Sequence, residues 1–220
     1  MNEQEWFRSD QPIPLLTQIR GIPSDRKLRL FACACCRRKW KFFNDDRCRE
    51  AVEIAELYAD DPDRIGDLDW AAQGARLAFN EWRPKQGSQG ILVRASGAVL
   101  ALVRSRHNYA AAAEVATAVL GIPIKSARAR AAESREQSSL LRDIFGNPFR
   151  PIAFDPAWRS GTAVGIAAGI YEDRAFERMP ILADALQEAG CEHADILTHC
   201  REPGTHVRGC WVVDLVLGKE

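Results

Sequence analysis

The 220-residue sequence lacks a surplus of charge: thirty Lys and Arg balance thirty Asp and Glu, and the pI is near 6.9. No global field therefore draws the chain to nucleic acid or to an anionic membrane, and any such affinity must come from a local patch. Long apolar runs are also missing. The longest, GAVLALV and AVGIAAGIY, fall well short of the roughly 18–20 residues that a membrane helix needs, so no membrane partner is expected. The opening MNEQEWFRSDQP lacks a basic segment followed by an apolar one, so no secretory signal is expected there. Neither a repeat of solenoid period nor a low-complexity tract occurs. No phosphate-cradling glycine loop, H-E-x-x-H, G-x-S-x-G or carboxylate pair at catalytic spacing is present, so the sequence announces no enzyme chemistry.

Cysteine, by contrast, is plentiful. Seven is an odd count, and without a secretory signal it implies free thiols in a reducing, cytoplasmic setting rather than a disulfide framework. Apolar residues make up 46% of the chain and include six Trp and nine Phe, enough large side chains for a substantial core.

Periodicity and punctuation predict an all-α fold: a single compact helical domain over 1–220 with about nine or ten helices. Ser24 or Asp25 caps a helix whose apolar arc holds Leu28, Phe31, Cys33, Cys36, Trp40 and Phe43, with Leu30 out of place. That pattern predicts a surface helix with one wide buried face. RPKQGSQG, residues 83–90, reads as a loop or internal hinge dividing an N-terminal lobe (1–82) from a C-terminal lobe (91–220). Residues 125–139 favour helix but carry no large apolar side chain, which predicts an exposed or mobile helix. The proline- and aromatic-rich segment 146–158 is expected to run extended across the body. CWVVDLVLG near the C-terminus is read as helix.

The strings SDRKLRLFACACCRR, LLRDIFGNPF, ILADALQEAGC and HVRGCWVVDLVLGKE together resemble a paralogous family of uncharacterised proteins from planctomycete bacteria. The resemblance spans nearly the whole chain. It carries no activity, cofactor or catalytic residue, and implies only a member of an expanded family that acts inside the cell.

Four groupings carry chemistry. Cys33 and Cys36 form a C-x-x-C pair, the spacing of redox dithiols and half of many zinc sites, but it lies two turns inside a helix, where cysteine also packs as a small apolar residue. The run 26–41 is basic and free of acids; Arg37, Arg38, Lys39 and Lys41 would meet an acidic protein partner or nucleic acid. The acid-rich stretch that follows offers intramolecular pairing instead. MPILADALQEAGCEHADILTHCR has the outline of a helix-turn-helix, yet its second helix is too anionic to read DNA.

The last grouping is CEHADILTHCREPGTHVRGC, residues 191–210. Zinc needs four N or S ligands about 2.0–2.3 Å from one point. On a helix over 193–201, His193 and Cys200 lie about 10 Å apart along the axis, so His193 is excluded. Cys191, Cys200 (or His199), His206 and Cys210 form the best zinc set, although no C-x2-C or H-x3-H pair supports it. Core packing competes for Cys210, and a Cys210–His206 nucleophile oriented by Asp214 is a further reading. The sequence taken alone favours a non-enzymatic interaction or regulatory module with an unknown protein partner. A zinc-stabilised helical domain and nucleic-acid binding through 26–41 are the alternatives.

Overall fold

The computed structural model describes residues 1–21, 24–88, 90–104, 108–123 and 126–219. The protein is all-α, with no strand among the described residues. The helices are α1 (Glu3–Arg8), α2 (Pro12–Gln18), α3 (Asp25–Arg38), α4 (Asp46–Asp60), α5 (Ile65–Gln86), α6 (Ile91–Arg104) and α7 (Asn108–Val119). They continue with α8 (Ala127–Phe145), α9 (Gly161–Asp173), α10 (Met179–Glu188), α11 (Ala194–Arg201) and α12 (Trp211–Leu217). The chain forms two compact units, residues 1–141 and 142–220, that divide inside α8. The lobe boundary expected at 83–90 is therefore displaced. Those residues end α5 and turn into α6, and the two helices pack on each other, so the turn closes a helical pair rather than separating two cores. Gln89, within that stretch, lies outside the described residues.

In the first unit α3 is central, not superficial. Ser24 caps it by accepting from the Lys27 amide, and α4, α6 and α7 surround it. Every residue from Leu28 to Cys36 is buried, which is why Leu30 fits no single arc. Alanine and cysteine at positions 32–36 are small enough for neighbours to approach from several sides. Even Arg29 is 3% exposed; its guanidinium donates to the Leu102 carbonyl at 3.0 Å and lies 4.7 Å from the Tyr58 ring. A helix buried all round needs no amphipathic stripe.

The expectation of an exposed or mobile helix is also corrected. Of α8, residues 127–132 are exposed, but Glu133, Ser134, Gln137 and Ser138 are buried, and the Gln137 amide donates to the Ala116 carbonyl at 3.2 Å. Polar side chains enter the core here, which an apolar-periodicity reading does not register. Lys125, where that helix was expected to begin, lies outside the described residues.

The second unit holds the end of α8, the extended segment 146–158 with a short 3-10 turn at Pro156–Trp158, and α9–α12. Phe154 and Trp158 meet edge to face and pack on a core of Ile170, Leu182, Leu186, Ile196, Val212 and Val216. That core is thin. Alongside these aliphatics it is built largely from alanine and three cysteines, and Tyr171 is its one buried aromatic. At about 80 residues such a unit has little apolar burial to set against chain entropy, and small domains of this size commonly need a further staple. No described helix is long and apolar enough to cross a membrane.

Candidate metal centre

Three local features bring the candidate ligands of the second unit together. Asp143 sits in the last turn of α8, which ends at Gly146 with φ +62° and the Gly146 amide bonded to the Arg142 carbonyl at 2.9 Å. His199 lies in the last turn of α11. His206 and Cys210 lie in the loop between α11 and α12, where the Cys210 amide closes a β-turn on the Val207 carbonyl at 3.0 Å. Gly209, at φ +90°, occupies the third position of that turn, where a positive φ suits glycine.

The result is a compact cluster of Asp143, His199, His206 and Cys210 whose four donor atoms all lie within 4.8 Å of one another. Asp143 Oδ1 is 2.7 Å from His206 Nδ1 and 3.2 Å from His199 Nε2. Cys210 Sγ is 3.2 Å from His199 Nε2 and 4.0 Å from His206 Nδ1. Two ligands of one tetrahedral ion stand about 3.3–3.8 Å apart. The Asp143–His206 separation is shorter and is that of a hydrogen bond; the other three bracket the range. The second carboxylate oxygen, Oδ2, accepts the Val207 amide at 2.9 Å, which fixes the carboxylate with Oδ1 towards the histidines.

Which nitrogen each partner meets decides between chemistries. A thiol–imidazole–carboxylate relay needs the sulfur on one ring nitrogen and the carboxylate on the other. Here Asp143 and Cys210 both approach the same nitrogen of His199, and both approach the same nitrogen of His206. The donors converge on a common point instead of forming a line, and four such groups could hold a metal ion.

Burial agrees. The side chains of Asp143, His206 and His199 are 4%, 9% and 19% exposed, and Cys210 is fully buried. Burial pushes the Cys210 thiol well above its ordinary range, and the neighbouring Asp143 carboxylate pushes it further. The Val213 and Val212 amides act the other way without reversing the shift. A protonated, inaccessible thiol is the opposite of an activated nucleophile. For Asp143, burial opposes ionisation, but the hydrogen bonds from His199 and His206 outweigh it and hold the carboxyl below its usual range. Asp214 is buried and stands outside the cluster.

Of the four ligands nominated by sequence, His206 and Cys210 stand in the cluster, and His199 takes the place offered to it as the alternative to Cys200. Cys191 and Cys200 stand outside it, in the core. Cys191 has a clear local reason. Its amide bonds the Leu186 carbonyl at 2.9 Å and the amide of Gly190 (φ +88°) bonds Gln187, which is the Schellman ending of α10, with Cys191 as the apolar residue that closes it. Asp143 was not nominated. It is 48 or more residues from the other candidates, so no spacing motif includes it, but LLRDIF places one acid on the apolar face formed by Leu140 and Ile144. A carboxylate on a buried face requires partners, and that was the available signal.

In the first unit, all of Cys33, Cys35, Cys36 and Cys48 are buried free thiols, and burial raises each. The basic face nominated for a partner is largely occupied by the chain's own carboxylates. Arg37 binds Glu56 through two bonds of 2.6 Å; Arg38 binds Glu133 and Glu136; Lys39 lies 2.8 Å from Glu133. Lys41 is exposed, with its ammonium over the Phe42 ring. No protein-family model, curated protein or solved structure matches the chain, which leaves the geometry of the site as the ground for a functional reading.

Proposed function

We propose that the second unit is a zinc-stabilised helical module and that the ion's role is structural. The observation that carries this reading is the convergence of Asp143 Oδ1, His199 Nε2, His206 Nδ1 and Cys210 Sγ, with carboxylate and thiol meeting the same nitrogen of each histidine. One oxygen, two nitrogens and one sulfur are donors that zinc accepts, and four protein ligands complete its tetrahedron without an open position for substrate. The small side chains of the unit's core give the ion a purpose. It would tie the end of α8, the end of α11 and the start of α12 to one point, where apolar burial alone is modest. A closed site of this kind suits a domain that works by presenting a surface to a partner rather than by turning over a substrate.

Cobalt substitution tests this reading. The full chain, freed of metal and loaded with Co²⁺, should show the intense visible bands of a tetrahedral ion and a near-ultraviolet sulfur-to-metal band. Cys210→Ser should abolish the latter. A weak octahedral spectrum, or no spectral change on adding cobalt, would overturn it.

A further inference from the structure

The geometry points to Trp211 as the gate through which the ion enters and leaves the site, seated by Gly146. This rests on the zinc reading above and concerns how the same site is loaded.

Of the four ligands, Asp143 and Cys210 are sealed and His206 is nearly so; His199 is the most exposed, at 19%. We take His199, the least buried ligand, as the one by which an ion reaches the cluster. The Trp211 indole packs against that ligand, with ring centroids 5.0 Å apart and a 50° tilt, and Trp211 is itself only partly buried. Gly146 also lies against the indole. A Cβ added there would come within 3.2–3.4 Å of three indole atoms, and Gly146 also needs φ +62°. The indole thus rests directly on bare backbone, three residues after one ligand, and is covalently next to another.

Trp211 supplies no donor to the cluster. Moving it changes access while leaving four ligands in place, so it should alter the rates of exchange in both directions more than the affinity. That separates a gate from a prop, because a residue that merely holds the ligands in register would weaken binding when removed.

The test uses the full chain loaded with one equivalent of zinc and mixed with a chromogenic chelator in large excess. Trp211→Ala should release zinc about tenfold faster or more and also load faster, with a dissociation constant close to that of the native chain. Gly146→Ala, which keeps the indole but displaces it, should accelerate release in the same direction. Trp158→Phe, on the same core but outside the ligand cluster, should release at the native rate, and circular dichroism should show all three variants folded. Native release rates in both Trp211→Ala and Gly146→Ala would overturn the gate while leaving the zinc site standing. Faster release matched by an equal loss of affinity, or equal acceleration in Trp158→Phe, would show general loosening and overturn it too. Failure of the native chain to take up zinc would instead overturn the reading on which it rests.

Discussion

Asp143→Asn keeps the shape of the side chain and removes its charge, and the structure sets the size of the effect. The native carboxylate meets His206 and His199 through Oδ1 and the Val207 amide through Oδ2, all with the side chain 4% exposed. An amide presents an acceptor to only one of those directions and places NH₂ against a donor in the other. A buried mismatch of this kind costs about 1–3 kcal/mol without any ion. A unit of about 80 residues has about 4–12 kcal/mol in total, so the variant should fold but melt early. Zinc then amplifies the difference. With free zinc a thousandfold above its dissociation constant, the native unit gains about 4 kcal/mol, or about 15–30 °C in melting temperature. If losing one of four ligands weakens binding about a hundredfold, the same zinc stands only tenfold above the constant and adds about 1.4 kcal/mol. Thermal melts of both proteins, each with buffered zinc and with chelator, measure both quantities. Equal zinc-dependent shifts in native and Asp143→Asn protein would refute the assignment of Asp143 as a ligand. A variant as stable as the native chain in chelator would refute the hydrogen-bond accounting.

In the first unit, Glu56→Ala should destabilise by about 1.5–3 kcal/mol, because it takes the two-bond partner from the partly buried Arg37 guanidinium. Urea unfolding of the variant checks this, and a loss below about 1 kcal/mol would mean that the pair is no more than a surface contact. Asp45, which caps α4, is held below the usual carboxyl range first by its hydrogen bonds to Arg47 and also by the Trp82 indole, against an opposing effect of burial. A depressed folded pKa contributes stability that is present above the unfolded value, about 3.9, and is lost as pH falls through the folded one. Melting of the first unit should therefore drop as pH falls below about 4, and Asp45→Asn should flatten that drop. An unchanged slope in the variant would place the acid sensitivity elsewhere.

Helix type was legible because capping residues and apolar spacing are local signals, although twelve α-helices stand among the described residues where about nine or ten were expected. Ser24 before α3 and Gly190 after α10 both do what their position suggests. The central place of α3 was not legible, since a helix of Ala and Cys buried on all sides shows the same small residues as a half-buried one. Pairing of Arg37 with Glu56 follows from two adjacent helices of opposite charge. The partners of Arg38, Glu133 and Glu136, lie more than ninety residues on and belong to a helix that reads as surface. The candidate site divides the same way. His199, His206 and Cys210 fall within one short stretch, and their chemistry marks them. Asp143 joins them only through tertiary packing, while Cys191 and Cys200 carry ligand chemistry but serve the core. Residue type proposes a ligand, and backbone placement decides whether its donor atom reaches the common point.

The most direct measurement is the zinc content of the full chain purified without chelator, compared across single-site variants. One zinc per chain is predicted, falling towards zero in His199→Ala and Cys210→Ser and staying near one in Cys191→Ala and Cys200→Ala. A native chain without metal, or a zinc lost with Cys191 and Cys200 but kept without His199, would contradict the site described above.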